Sequence, residues 1–101
     1  MTSATINNAS KKIEELYNPE KIILFGSHAR GTAGKHSDID LLVIKATKDR
    51  YFDRVKKVHG IIGMDIPADI LVYTPQELEK SKNTFFFQEI LEEGKVLYEK
   101  R

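Results

Sequence analysis

Three short apolar runs, separated by segments of helical periodicity, most constrain the fold of this chain. The runs lie at residues 21–25, 38–44 and 68–73 and are rich in Ile, Leu and Val, which is typical of buried strands. Between them, apolar residues recur at spacings of three and four, the pattern of helices that bury one face. The alternation predicts an α/β (α+β) fold, with a small mixed sheet of three to four strands and helices packed against it.

The remaining elements follow from caps and spacing. We expect helices over residues 4–17, 49–62 and 84–93, a short helix over 27–30 with Ser27 as its N-cap, and a final strand over 95–98. Thr74 and Pro75 predict the start of one more helix, because Pro is tolerated at the first helical position. With 101 residues, the chain has the size of one domain, which we place at 1–101.

Charge and composition exclude several classes of protein. A formal net charge of +1 argues against a general nucleic-acid binder, which would carry a strong basic excess. The basic residues from Lys45 to Lys57 are expected to form a solvated helix face, with docking of an acidic partner or nucleic acid as the alternative. No apolar run reaches the roughly 20 residues of a membrane span, and no signal peptide is evident, so we expect a cytoplasmic protein. The absence of Cys excludes thiolate metal sites.

Three carboxylates interrupt the apolar strands. Asp38 and Asp40 point to the same face of the second strand, because successive strand residues alternate, and Asp69 stands alone in the third. An isolated Asp-x-Asp pair is most often a turn or a helix cap, but acids in two apolar strands are costly unless they are paired or metal-bound. If these strands are neighbours, about 4.8 Å apart, the carboxylates can gather around Mg²⁺.

A Gly-Ser turn after the first strand supplies a second half of such a site. Gly26 lacks a Cβ, so its backbone can approach a phosphate closely, and Ser27 adds a hydroxyl donor. Arg30 follows one helical turn later, where its guanidinium would reach the same anion. Pairing of Arg30 with a surface carboxylate is the alternative. The pattern predicts a site for a phosphate-bearing, metal-bound substrate.

These motifs together resemble the signature of a known superfamily. Its elements here are Gly26-Ser27, Arg30-Gly31, Ser37-Asp38-x-Asp40-Leu41 and the later Asp69. They are similar to the polymerase-β-type nucleotidyltransferases, and the short chain resembles the minimal nucleotidyltransferase (MNT) members. The resemblance implies the nucleotidyltransferase fold and transfer of a nucleoside monophosphate, most simply AMP from ATP, with release of pyrophosphate.

The resemblance also implies roles for individual residues. Asp38 and Asp40 would bind two Mg²⁺ ions, and Asp69 would bind the catalytic metal and help to activate the acceptor hydroxyl. Gly26 and Ser27 would hold the β- and γ-phosphates.

Partners follow from the same resemblance. Small MNT proteins act as antitoxins of HEPN-domain toxins, which they bind and adenylylate on tyrosine, so a HEPN partner is implied here. A short chain has little surface with which to enclose an acceptor, so we expect a partner or self-association to complete the site. Two alternatives stay open: a homodimer that modifies a small molecule of the aminoglycoside type, and a non-catalytic nucleotide-binding module. The sequence leaves open the base, the acceptor, the oligomeric state and whether Phe85 belongs to a partner surface.

Overall fold

The computed structural model describes residues 2–34 and 36–101, which places Met1 and Lys35 outside the description. The elements, in chain order, are α1 Ser3–Tyr17, β1 Lys21–Phe25, α2 Gly26–Arg30, β2 Ile39–Ile44, α3 Tyr51–Ile62, β3 Ala68–Tyr73, α4 Pro75–Ser81, α5 Phe85–Glu93 and β4 Lys95–Glu99. In this part of the chain no helix combines the length and the apolar character needed to cross a lipid bilayer.

The four strands form one mixed sheet in the order β3-β2-β1-β4. Strand β1 runs antiparallel to both of its neighbours, whereas β2 and β3 are parallel and are joined through α3. The prediction of a small mixed sheet with helices packed on it is therefore confirmed. The parallel pair matters most for the site, because its register places Asp40 directly opposite Asp69.

The two faces of the sheet bury different clusters of side chains. Ile39, Leu41 and Val43 of β2 pack on one face, which α1 and α3 cover. Leu42 and Ile44 pack on the other face, against Phe87 and Ile90 of α5. Because strand side chains alternate, Asp40 and Asp69 share the α5 face. They lie at the end of the sheet where β2 and β3 begin.

Several boundaries differ from those that the sequence predicts. Strand β2 begins at Ile39, which leaves Asp38 just before it, and α3 begins at Tyr51 rather than at residue 49. Ser27 is not an N-cap: α2 begins at Gly26, and Phe25 precedes it without a side-chain cap. The reason is Gly26, whose φ of 73° turns the chain directly from β1 into α2 and leaves no room for a separate cap. Thr74 and Pro75 do begin α4, with a complete capping box.

Arg54 is a further correction, because it was expected on a solvated basic face. Its side chain is buried, and its guanidinium donates to both carboxylate oxygens of Glu77, at 2.6 and 3.3 Å. It also donates to the carbonyls of Val72 and Asp49, at 3.2 and 2.9 Å. Glu77 in turn accepts from the backbone N–H of Thr74 in the capping box. The Arg54–Glu77 ion pair therefore links α3 to the junction of β3 and α4.

Replacing Glu77 with Gln should destabilise the protein by about 1–3 kcal/mol, because a buried guanidinium would lose its charge partner. The hydrogen bond from Arg54 holds the pKa of Glu77 below its usual range. A lowered folded-state pKa contributes stability that is complete above the unfolded value, about 4.3, and that is lost as pH falls through the folded value. Urea unfolding should show a smaller effect of the substitution at pH 3, below the unfolded-state pKa, than at pH 7.

Glu79→Gln is the matched control in the same helix. Its carboxylate is exposed and, within residues 2–34 and 36–101, pairs only with Lys82, three residues away, so the change should cost less than about 0.5 kcal/mol at either pH. Equal effects of the two substitutions at pH 7 would mean that the Arg54 pair adds no stability.

Candidate active site

The centre of the candidate site is the pair Asp40 and Asp69, which face each other across the parallel strands. Asp40 is half-buried and Asp69 is exposed. Burial raises the pKa of Asp40, and the neighbouring carboxylates of Asp69 and Asp38 raise it further. His28 acts in the opposite direction. Two carboxylates so placed favour a shared proton or a cation between them.

Asp38 stands apart from this pair. It is exposed and lies one residue before β2, near enough for its charge to act on Asp40. Among residues 2–34 and 36–101, no three His, Cys, Asp or Glu side chains are gathered in an arrangement that would hold a metal ion. The structure thus brings together two of the three predicted carboxylates. The donor set fits a hard divalent cation, because carboxylate oxygens are the ligands that Mg²⁺ prefers and like charges already crowd Asp40.

The Gly26-Ser27 turn lies directly against the acid pair. A Cβ added at Gly26 would overlap the carboxylate of Asp40, so only glycine lets the turn and β2 approach this closely. The positive φ of Gly26 also requires glycine. Ser27 follows within α2, half-buried. The structure therefore brings the Gly26-Ser27 turn next to Asp40.

Arg30 is placed differently from the other predicted residues. Its guanidinium lies 3.4 Å from the carboxylate of Glu93 in α5, and both side chains are largely exposed. It borders a small depression together with Gly26, Phe86 and Glu93. Exposed pairs of this kind contribute about 0–1 kcal/mol, so an anion at Gly26 would compete with Glu93 for Arg30.

Two aromatic residues border the site that are not among the predicted site residues. Phe25 and Phe86 line an open depression of about 350 Å³ together with Asp40, Asp69 and Leu71. Their rings meet edge to face, with centroids 6.3 Å apart. Residues Phe85, Phe86 and Phe87 lie at positions of a helix where core packing is the default expectation for most of the run, yet only Phe87 of the three is buried. The position of Phe25 beside Gly26 was the available signal.

His28 also has a place that the sequence did not indicate. Its Nε2 lies 3.1 Å from the carbonyl oxygen of Ser37, across nine residues of chain. The contact ties α2 to the segment that leads into Asp38.

Comparisons with known proteins find related sequences and similar folds. A family model described as "Polymerase beta, Nucleotidyltransferase" matches residues 7–101. A protein of Methanocaldococcus jannaschii, named "Putative protein adenylyltransferase", is 37% identical over 101 residues, which is 90% of this chain and 99% of that protein.

Solved structures share the fold. One is described as a "putative nucleotidyltransferase" from Sulfolobus solfataricus and has a TM-score of 0.66 at 21% identity. The alignment covers 96% of this chain and 79% of that chain. A toxin-antitoxin structure with AMP-PNP has a TM-score of 0.63 at 25% identity, and the alignment covers 94% of this chain and 74% of that chain. A complex of tri-AMPylated Shewanella oneidensis HEPN toxin with MNT antitoxin has a TM-score of 0.55 at 22% identity, and the alignment covers 95% of this chain and 73% of the matched chain.

Proposed function

The chain belongs to the polymerase-β nucleotidyltransferase family, and on that premise we propose that it is a Mg²⁺-dependent adenylyltransferase that transfers AMP from ATP to a hydroxyl of a partner protein. The observation that carries the proposal is the contact of Asp40 with both Asp69 and the Gly26 turn. A phosphate-binding turn beside a carboxylate pair is what nucleotidyl transfer requires. The protein-modifying relative supports a protein acceptor.

The nucleotide would enter with its β- and γ-phosphates at the Gly26-Ser27 turn. Backbone N–H groups there approach closely because Gly26 has no side chain, and the Ser27 hydroxyl donates a further hydrogen bond. Asp40 and Asp69 would hold Mg²⁺, and Asp38, which stands apart from them just before β2, would have to move closer to join them as a third ligand. The bound ion would neutralise the phosphates and the leaving pyrophosphate. The α-phosphate would then lie over the acid pair.

The acceptor would approach from the open side of the same depression. Its hydroxyl oxygen forms a bond to the α-phosphorus while the bond from that phosphorus to the bridging oxygen breaks and pyrophosphate leaves. Asp69 is the exposed member of the pair, so it is placed to take the hydroxyl proton. Phe25 and Phe86 give the depression an aromatic wall, which suits the ring of a tyrosine better than a small aliphatic alcohol.

A HEPN-domain toxin is the partner that we propose. The support is the likeness to the MNT antitoxin in complex with an AMPylated HEPN toxin. We further propose that residues 1–101 act as one domain. The acceptor site is then completed by the partner, since the depression beside Asp69 is open to solvent.

ATP together with Mg²⁺ should raise the melting temperature more than either does alone. Bound Mg²⁺ would relieve the repulsion between the carboxylates around Asp40. Phosphates held at the Gly26-Ser27 turn would add ligands to the ion, so ATP and Mg²⁺ should each strengthen the binding of the other. Ligands that bind only the folded state stabilise it by about 2.7 kcal/mol at a hundredfold excess over the Kd, which corresponds to a rise in melting temperature of roughly 10–20 °C for a chain of this size. The measurement is a thermal melt with ATP, MgCl₂, both, or ATP with EDTA.

The EDTA sample is the decisive control. An equal shift with and without EDTA would contradict a metal-bridged phosphate site. No shift with any nucleotide would contradict the nucleotide site itself.

A further inference from the structure

Two exposed apolar surfaces lie on opposite faces of the sheet. On α5, Phe85 is 78% exposed and Phe86 is 49% exposed. Phe52 of α3 and Met64, just beyond its end, border a groove of about 510 Å³ with Val55, Lys56 and His59. We call the first the α5 surface, defined by Phe85, Phe86, Glu89 and Glu92, and the second the α3 groove. Exposed apolar area of this kind marks protein contacts.

Only the α5 surface adjoins the candidate active site. Phe86 lines the depression that contains Asp40 and Asp69, and α5 packs on the sheet face to which both acids belong. The α3 groove lies on the helix that covers the other face. A protein hydroxyl has to come within about 3–3.5 Å of the α-phosphorus. A protein that delivers it passes beside Phe86 and can therefore contact α5.

The charges of the two surfaces are opposite in sign. Helix α5 contains Glu89, Glu92 and Glu93 and no Lys or Arg. Among the described residues, only Glu93 of these three forms a salt bridge, with Arg30, which leaves two carboxylates beside Phe85 and Phe86. The α3 groove instead carries Lys56 and His59. The α5 surface is thus complementary to a basic partner, and the α3 groove is not.

We propose that the acceptor protein docks on the α5 surface, and that its contacting surface is basic around an apolar pocket that receives Phe85. This inference rests on the proposed function, because it names the partner chemistry of the same site. Phe85 is the most exposed of the aromatic residues here and is placed to anchor the contact, as buried aromatics do at interfaces. The two free carboxylates set the orientation and the rate of encounter.

Two synthetic tyrosine peptides of equal length test the proposal. One flanks the tyrosine with Leu and Lys, and the other with Leu and Glu. With radiolabelled ATP and Mg²⁺, the basic peptide should be labelled with the higher kcat/KM, and its labelling should fall as NaCl is raised. Phe85→Asp should lower this kcat/KM by about 10- to 30-fold. An Asp at the first position of α5 suits the helix dipole, so the fold should tolerate it.

Charge reversal provides the second variant. Glu92→Lys should lower labelling of the basic peptide about two- to fivefold and raise that of the acidic one. Phe52→Asp, on the α3 groove and 70% exposed before substitution, is the matched control and should change neither.

Three outcomes would overturn the proposal: a preference for the acidic peptide, equal labelling of both or of neither, or loss with Phe52→Asp instead of Phe85→Asp. The melt with ATP and Mg²⁺ separates this from failure of the proposed function. If the Mg²⁺-dependent shift is intact and the peptide results fail, only the docking surface is wrong.

Discussion

Replacing Asp40 with Asn should abolish transfer activity while leaving the apo protein as stable as before, or more stable. Burial and the charge of Asp69 raise the pKa of Asp40, so its ionised form is unfavourable in the folded state without a cation. Asn keeps the shape and removes the charge, which relieves repulsion in the apo site. It also removes an anionic ligand, which should lower the transfer rate by about three orders of magnitude. Thermal melts and initial rates measure the two effects separately.

Asp53→Asn is the matched control. Asp53 is an exposed aspartate of α3, on the helix that covers the opposite face of the sheet, so the change should alter neither stability nor rate appreciably. Unfolding of Asp40→Asn, or its full activity, would show that Asp40 is a structural residue and that the site is assigned wrongly.

Gly26→Ala should be among the most damaging single-methyl changes in the chain. The residue has a φ of 73°, and its new Cβ would overlap the carboxylate of Asp40. The backbone strain costs about 1 kcal/mol, and displacement of the carboxylate adds about 1–3 kcal/mol. The turn and the acid pair would move apart, so the stabilisation by ATP and Mg²⁺ should also be lost. Urea unfolding and the nucleotide melt measure these effects.

Gly31→Ala is the control that distinguishes the cost of backbone strain at a positive φ from the cost of a clash with Asp40. Gly31 has a similar φ of 76°, but nothing lies within 4 Å of a Cβ added there. Its substitution should cost about 1 kcal/mol from strain alone and leave the nucleotide-dependent shift intact. Equal losses at the two glycines would show that the closeness of Gly26 to Asp40 has no role.

Much of the fold could be predicted because local patterns and tertiary packing agree. Strands β1 and β3 have the bounds that their apolar runs indicate, and Thr74 with Pro75 marks the start of α4 correctly. The position of Asp40 opposite Asp69 was predicted only on the condition that β2 and β3 are neighbours. Strand order depends on long-range pairing, which periodicity does not reveal.

The errors have a common cause. Arg54 reads as one more basic residue of α3, yet it is buried because Glu77, from a different helix, meets its guanidinium. Phe86 reads as core, yet it lines the depression because α5 turns that side toward Asp69. In both cases the partner is distant in sequence, so spacing within one helix carries no information about it.

The most direct test of the account is the mass of an acceptor protein after reaction. A HEPN-domain toxin from the same organism should be incubated with this chain, ATP and Mg²⁺, and then analysed by intact and peptide mass spectrometry. We expect a covalent gain of one or more AMP groups on tyrosine, which requires Mg²⁺ and is absent with Asp40→Asn. An unmodified partner, together with efficient adenylylation of an aminoglycoside by this chain alone, would contradict the account and favour the small-molecule enzyme.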